Sequence, residues 1–156
     1  NLRPPLWKSL DDAREQVLYG LGHCQILKIS DNEIQWLTGK DDYTEGVQWI
    51  LERYEIPLIL VSMGKEGSRA YYKGMIVETA PFLQENTIET TGAGDTFCAC
   101  VLHYVGEHGL SDLTEDDLKE MLVFANAAAS LITTRKGALR VMPKRQEIEQ
   151  LVETRG

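Results

Sequence analysis

Residues 90–97 of the chain read TTGAGDTF, and this stretch decides how the surrounding sequence is interpreted. Apolar residues follow it at helical intervals, which predicts a glycine turn that leads into the first turn of a buried helix. The first N–H groups of a helix lack partners inside it, and the aligned peptide dipoles add positive charge there. Because glycine also lets a ligand approach the backbone closely, the stretch predicts an anion site, for which phosphate is the usual ligand.

Asp95 directly follows these glycines and allows two interpretations. A carboxylate beside a phosphate site repels that ligand, unless it faces a second substrate whose hydroxyl must lose a proton. An aspartate in the first turn of a helix is also an ordinary capping residue. The stretch is not a Walker A loop, because no Lys-Ser or Lys-Thr pair follows the glycines. The residues alone leave both interpretations open.

The composition is typical of one soluble globular domain. The chain has 156 residues, of which 43% are hydrophobic and 26% charged, and this length is sufficient for one core. Its net charge of −8 argues against a nucleic-acid partner, because binding a phosphate backbone requires a basic surface. No apolar run approaches the roughly 18 residues needed to span a bilayer. We therefore expect no nucleic-acid or membrane partner and a cytoplasmic location.

The hydrophobic pattern predicts an α/β organisation. Buried strands are expected at residues 24–29 and 58–61. The first is followed by a helix, and such a βα unit places ligands at the carboxyl ends of its strands, whereas the second ends in a glycine turn. Residues 69–72 and 75–79 alternate as a hairpin, whereas residues 1–7, with two prolines, predict the exit of a strand. The side chains expected to face inward from the helices are Val17, Leu18, Leu21, Ile34, Leu37, Val47, Ile50, Leu51, Tyr54, Phe97, Val101, Leu102, Val105, Leu118, Met121, Leu122, Ala125, Ala129, Ile132, Ile148, Leu151 and Val152.

Four segments, taken in order, resemble the signature segments of the PfkB (ribokinase-like) carbohydrate kinases. They are residues 28–33 (KISDNE), 62–67 (SMGKEG), 90–97 and 126–138, the last of which begins NAAA and ends RKGA. The resemblance implies a three-layer α/β/α, doubly wound fold with a mostly parallel sheet and a peripheral β-hairpin. Family members run to roughly twice this length, so it also implies that residues 1–156 are the C-terminal part of a single kinase domain.

The resemblance further implies that the γ-phosphoryl group of ATP is transferred to a sugar hydroxyl. The N–H groups of Gly92, Ala93 and Gly94 would hold the developing charge, while Asp95 would accept the hydroxyl proton. Glu33 would help to place Mg²⁺ through water; the alternative is a first-turn glutamate that only favours the helix dipole. Further contacts with ATP are expected from Ser62, Gly64, Gly67, Asn126, Lys28 and Gly137, although Lys28 could equally be an exposed lysine at a strand end.

Within the family, residues 1–7 (NLRPPLW) and 28–33 together resemble fructokinases, those of bacteria above all, which implies fructose as the sugar. The 2-keto-3-deoxygluconate kinases resemble residues 1–7 and are the runner-up within the family, and another sugar or nucleoside kinase of the family is the remaining alternative. An alternative of another class is a kinase-like binding protein without turnover, against which the intact Gly92, Gly94 and Asp95 argue. The fragment by itself is expected to be inactive, and a homodimer is an open expectation for the full-length protein.

Three further site residues follow from the resemblance. Arg3 would lie near the sugar or the phosphates, with a solvated surface arginine as the alternative. Glu89 and Thr91 would lie near a monovalent cation, K⁺ in this family. However, Glu89 stands where the family usually has Asp, and Val141 stands where ribokinases have a polar group, so dependence on K⁺ is left open.

Overall fold

The computed structural model describes residues 2–155 as an α/β structure. Asn1 and Gly156, the two ends of the domain predicted over residues 1–156, lie outside the described residues. The strands are β1 (Ile26–Ser30), β2 (Leu58–Ser62), β3 (Ser68–Tyr72) and β4 (Met75–Thr79). The α-helices are α1 (Leu10–Leu21), α2 (Asp31–Thr38), α3 (Tyr43–Leu51), α4 (Ala93–His108), α5 (Glu115–Ile132) and α6 (Arg145–Arg155). Short 3₁₀ turns lie at Pro4–Leu6, Gly64–Glu66 and Leu139–Val141.

The strands form one mixed sheet in the order β1-β2-β3-β4, with β1 at one edge of the sheet that residues 2–155 build. β1 and β2 are parallel, whereas β3 pairs antiparallel with both β2 and β4. The sequence predicts a mostly parallel sheet, but parallel pairing does not predominate among the described strands. The reason is that the hairpin supplies two of the four strands. The predicted hairpin turn is present: Lys73 and Gly74 have φ values of 46° and 82°, as a two-residue turn with both central residues left-handed requires.

β2 is the centre of the structure, and Leu58, Ile59, Leu60 and Val61 have no exposed surface. Successive side chains of a strand point to opposite faces. Accordingly, Leu58 and Leu60 pack with helices α4 and α5, while Ile59 and Val61 pack with α2 and α3. The unbroken apolar run thus reflects burial on both faces of the sheet. Helices cover both faces, which confirms the predicted three-layer α/β/α architecture.

Side-chain caps fix where several helices begin, as the sequence predicts. The oxygens of Ser9, Asp42 and Thr114 accept hydrogen bonds from the N–H groups of the residues three positions later, at 2.9–3.2 Å. Such caps satisfy N–H groups that the helix itself leaves without partners. Ser30 caps α2 in the same way and thereby sets the boundary between β1 and α2.

Some predicted details differ from the structure. Residues 4–6 form a 3₁₀ turn instead of a strand exit, because the fixed φ of Pro4 suits the first position of a helical turn. Leu51 and Leu102 are 42% and 51% exposed, since Leu51 ends α3 and Leu102 is rotated on α4 away from its buried neighbour Val101. β1 begins at residue 26 instead of 24, and α6 begins at Arg145 instead of Pro143.

None of the helices between residues 2 and 155 combines the length and the apolar composition that a bilayer-spanning helix needs.

Candidate active site

The carboxyl ends of β1 and β2 and the start of α4 open onto one cleft, with a volume of about 640 Å³. The doubly wound pattern predicts this position. The segment after β4 forms another wall with Pro81, Phe82 and Leu83, so the cleft has a polar end at the strands and an apolar side at this segment. The predicted site residues that line the cleft are Lys28, Glu33, Ser62, Gly64, Gly67, Ala93, Gly94 and Asn126.

The glycine turn at residues 92–94 begins α4. Gly92 is the N-cap residue with φ +85°, and its carbonyl accepts the first helical hydrogen bond from the Thr96 N–H at 2.8 Å. The N–H groups of the first turn therefore point out of the helix end. The Ala93 N–H donates to the Thr90 carbonyl at 3.2 Å. Of the predicted anion donors, Ala93 is thus engaged within the turn, which leaves the main part of that role to Gly94 and its neighbours.

Lys28 extends from β1 to this turn. A methyl group added at Gly94 would lie 3.2 Å from Lys28 Nζ, so the ammonium group stands directly beside the Gly94 backbone. The side chain is half-buried and lines the cleft. A cation and the end of a helix dipole together favour an anion more than either does alone. The Lys28 ammonium group thus lies in the cleft, and a contact with ATP stays a prediction.

Asp95 occupies the third helical position of α4 and is exposed; it follows the cleft residue Gly94 directly but is not among the residues that line the cleft. The N-cap residue is a glycine, so α4 begins without a capping side chain. At this position the Asp95 carboxylate also interacts favourably with the positive end of the helix dipole. That interaction does not exclude the role of a base, because Asp95 is exposed to solvent.

Glu33 is fixed by two backbone N–H groups. Its Oε2 accepts from the Ser30 N–H at 2.9 Å, completing a capping box, and its Oε1 accepts from the Leu2 N–H at 2.7 Å. Burial of the carboxylate acts to raise its pKa, but the N–H groups of Leu2 and Ser30 outweigh this and leave the pKa of Glu33 below its ordinary value. Glu33 is therefore an ionised carboxylate in the cleft wall.

The turn after β2 forms the opposite side of the cleft, with Ser62 at its start. Gly67 has φ +97°, and a methyl group added there would lie 2.1 Å from the Thr79 carbonyl oxygen. Gly64 also has a positive φ, +55°, but open space surrounds it. The close approach of the segment after β4 thus requires a glycine at position 67, independently of any ligand.

Asn126 joins α5 to the end of β4. Its Nδ2 donates to Thr79 Oγ1 at 2.9 Å and to the Ala80 carbonyl at 3.2 Å. Thr79 Oγ1 also lies 3.3 Å from Ser68 Oγ. Asn126 reaches the cleft as predicted, yet its amide nitrogen is committed to the protein. Its function in this arrangement is to hold the segment that carries Pro81 and Phe82.

Other predicted residues lie outside the cleft lining. Arg3 is exposed and precedes the first 3₁₀ turn. The Glu89 N–H donates to the Thr133 carbonyl at 3.1 Å, and Thr91 is exposed on the same segment. Gly137, with φ +123°, belongs to the loop after α5. That loop packs on the glycine turn through Ala138, whose Cβ would lie 3.5 Å from a methyl group at Gly92.

Several cleft residues on the segment after β4 are not predicted by the sequence. Gln84 Nε2 donates to Ser130 Oγ at 2.8 Å, which bridges this segment to α5. Phe82 and Leu83 add apolar surface beside it. Residues 80–92 show neither helical nor strand periodicity, so the pattern carries no signal for their position. Their one sequence cue is the pair of apolar side chains directly after Pro81.

Comparison with known proteins identifies the family. The sequence pattern of the pfkB family of carbohydrate kinases matches residues 1–145. The chain belongs to the pfkB family. This confirms the family that the four sequence segments predict, and with it the ribokinase-like fold.

Individual members of the pfkB family agree with this assignment. Fructokinase-1 from Zea mays is 36% identical over 153 residues, which are 98% of this chain and 47% of that protein. A double mutant of the fructokinase from Vibrio cholerae O395, with fructose, ADP and potassium ion bound, has a TM-score of 0.85 and 25% identity, covering 97% of this chain and 48% of its own. The ribokinase from Arabidopsis thaliana, complexed with ribose and ATP, has a TM-score of 0.73 and 29% identity, covering 85% of this chain and 42% of its own. The chain spans about half the length of the curated relatives it matches.

Proposed function

We propose that the chain is the C-terminal part of an ATP-dependent sugar kinase, with fructose as the acceptor and fructose 6-phosphate as the product. The observation that carries the proposal is the glycine turn of α4, which opens onto the same cleft as the Lys28 ammonium group and the Glu33 carboxylate. Fructokinases among the relatives favour fructose over the 2-keto-3-deoxygluconate of the alternative.

The terminal phosphoryl group of ATP would lie at Gly94. There the outward-pointing N–H groups of α4 and the Lys28 ammonium group offset its negative charge. The sugar oxygen forms a bond to phosphorus while the bond between phosphorus and the bridging oxygen of ADP breaks. Asp95 takes the hydroxyl proton late, when bond formation has already acidified the sugar oxygen. The apolar wall at Phe82 and Leu83 suits the nucleobase, whose flat faces are poorly hydrated.

The acidic residues at the start of α2 fit a magnesium site. Mg²⁺ keeps several waters and needs only one or two carboxylates, and the ionised Glu33 carboxylate lies in the cleft wall with Asp31 close by. A magnesium ion held there supplies positive charge to the phosphate oxygens. Glu33 also keeps its link to Leu2, so it fixes the chain that precedes α1 relative to the cleft.

Several finer points belong to the same proposal. Arg3 would contact the acceptor sugar or a phosphate, and Gly137 would lie behind the nucleotide. Glu89 and Thr91 lie on the segment where potassium would bind, and the bound K⁺ of the Vibrio cholerae relative supports a test of this ion. A cytoplasmic location and a homodimer of the full-length protein complete the proposal.

Substitution of the proposed base tests the mechanism. In the full-length protein, Asp95→Asn should leave ATP binding nearly intact and lower the turnover of fructose by roughly 10²–10⁴-fold, because the proton acceptor is lost. Radiolabelled ATP with a panel of sugars measures turnover and identifies the acceptor, while calorimetry measures ATP binding.

Asp116→Asn is the matched control. Asp116 lies in the first turn of α5 and is exposed, so the change removes the same charge from a helix N-terminus outside the cleft. Unchanged turnover in Asp95→Asn would refute the assignment of the base. Absence of phosphorylation of every sugar by the unaltered protein, with ATP still bound, would favour a binding protein without turnover.

A further inference from the structure

Arg135 connects the end of α5 with two other segments. Its Nη1 donates to the Val141 carbonyl at 3.2 Å, and its Nη2 donates to the Glu147 carboxylate on α6. The side chain is 29% exposed, so the guanidinium group lies partly between the segments that it joins. One planar group with several donors in a fixed geometry can hold two acceptors in different directions at once.

Glu147 is itself held in place on α6. Its second carboxylate oxygen accepts from the Lys144 N–H at 2.7 Å and thereby caps the helix. The Lys144 N–H and the Arg135 guanidinium together keep the pKa of Glu147 below its ordinary value. Arg135 is therefore anchored to the start of a helix, and α6 in turn packs on α5 through Ile148.

The loop that Arg135 fixes lies directly behind the glycine turn. Residues 136–141 run between the anchored Arg135 and the anchored Val141 carbonyl, and Ala138 in their middle packs on Gly92. On the other side of the turn, the Thr133 carbonyl accepts from the N–H groups of Ile88 and Glu89 at 2.8 and 3.1 Å. Residues 133–141 thus hold both the segment that enters the turn and the backbone behind it.

We propose that Arg135 is a positioning residue for the phosphate-binding turn at Gly92–Gly94: its guanidinium group fixes the 136–141 loop, and the loop fixes the turn. The proposal rests on the proposed function, because it assigns a role within phosphoryl transfer. Misplacement of a binding group by about 1 Å can lower a rate by about 10²-fold, so a residue without substrate contact can control the reaction.

Arg135→Ala and Arg135→Lys, prepared in the full-length protein, distinguish positioning from bulk stability. We expect Arg135→Ala to lower kcat/KM for ATP by about 10²-fold and to weaken the binding of ADP. Lysine keeps the positive charge, but its compact ammonium group replaces the planar fork of guanidinium donors. Arg135→Lys should therefore recover part of the loss in kcat/KM. Glu147→Gln keeps an acceptor for the Lys144 N–H and should give a smaller loss than Arg135→Ala.

Hydrogen exchange gives a second readout that does not depend on turnover. In Arg135→Ala, the amides of residues 88–94 and 136–141 should exchange about tenfold faster or more, while those of β2 stay unchanged, because the loss of order is local. Arg145→Ala is the control, because it removes the ion pair with Glu149 and the contact of Arg145 with the Phe124 ring of α5 without touching the loop.

The outcomes separate this proposal from the proposed function. Unchanged exchange at residues 88–94 together with unchanged ADP affinity in Arg135→Ala would overturn the positioning role, whichever sugar is phosphorylated. A kcat/KM that falls equally in Arg145→Ala would overturn it as well, since the loss would then follow from general weakening of α6. If no sugar is phosphorylated but ADP binding and exchange respond as expected, only the proposed function fails.

Discussion

Two turns that carry glycine border the cleft, and they need glycine for different reasons. In the turn after β2, Gly67 meets the protein itself, because the Thr79 carbonyl occupies the space of a side chain. In the turn before α4, Gly94 has helical φ and ψ and meets only the flexible end of Lys28. The first turn therefore needs glycine to fold. In the second turn, Gly92 needs glycine for its φ of +85°, whereas Gly94 needs it only for the space that remains open at the helix end.

The contrast between Gly67 and Gly94 shows how a glycine in a candidate binding motif should be interpreted. Gly64 and Gly67 look like ligand contacts in the sequence, because they follow a parallel strand. In the structure, the restriction at Gly67 comes from residues 79–81, and its nearness to the cleft is a consequence. A glycine is a stronger candidate for ligand binding when the backbone around it would tolerate alanine. Single substitutions in the full-length protein test this distinction.

Gly67→Ala should have the largest effect, on folding. The added methyl group would lie 2.1 Å from a backbone oxygen at a φ of +97°, so steric and conformational costs add to more than about 4 kcal/mol of unfolding free energy. Denaturant unfolding measures the loss. Gly64→Ala is the control, since it has a positive φ but open space and should cost about 1–2 kcal/mol. Equal losses in the two variants would contradict the assigned role of Thr79.

Gly94→Ala should show the opposite behaviour. Alanine favours the helix by up to about 1 kcal/mol, so stability is kept or increased. The methyl group displaces Lys28 and covers the helix end, so turnover should fall by about 10²-fold, the loss typical of one missing anion donor. Gly106→Ala, in the last turn of the same helix with open space around it, should raise stability without affecting turnover. Full activity of Gly94→Ala would contradict a role of this turn in phosphoryl transfer.

Thr96→Val compares the two turns at the level of single hydroxyl groups. Thr96 Oγ1 is the buried side-chain oxygen without a hydrogen-bond partner in the described part of the chain. Replacing it by a methyl group of similar volume should stabilise the protein by about 1 kcal/mol. Thr79→Val is the counterpart beside Gly67, where the hydroxyl bonds to Asn126, and it should destabilise by about 1–3 kcal/mol. Thermal unfolding of both variants checks the two signs.

Tyr104, near the far end of α4, should give the smallest response. Burial, and then its hydrogen bond to Asp117 at 3.1 Å, raise the pKa of Tyr104 from 10 to about 12. Its stabilising contribution is therefore complete below about pH 10 and is lost as the pH rises through 12. Absorbance titration near 295 nm of the protein and of Tyr104→Phe isolates this ionisation. It should be the same in Gly94→Ala, because the change at the turn is local.

The sequence predicted the parts of the fold that depend on local pattern. The apolar run of β2, the caps at Ser9, Asp42 and Thr114, and the two-residue hairpin turn each depend on residues close in the chain. The start of α4 at the glycines belongs to the same class. These features are predictable because helix ends, hairpin turns and buried strands have short-range requirements.

The parts of the site that the sequence left open depend on contacts between distant residues. Lys28 and Gly94 lie 66 positions apart, and only the packing of β1 against α4 shows that the ammonium group reaches the turn. The hydrogen bond between Asn126 and Thr79 likewise joins distant residues. Asn126 is predicted to contact the nucleotide, and this hydrogen bond shows that it also holds the end of β4. Local patterns do not contain the register in which separate elements pack, so these pairs became visible only in the structure.

Lys28 also stands at the middle of β1, and this position has a consequence for association. If two copies of the chain added their β1 strands to each other in antiparallel fashion with full overlap, residue 26 would face residue 30 and Lys28 would face Lys28. Like charges directly opposite each other disfavour such pairing wherever β1 is an edge strand, as it is in the sheet of residues 2–155. The ammonium group that stands beside Gly94 thereby also discourages two copies of this chain from pairing along β1.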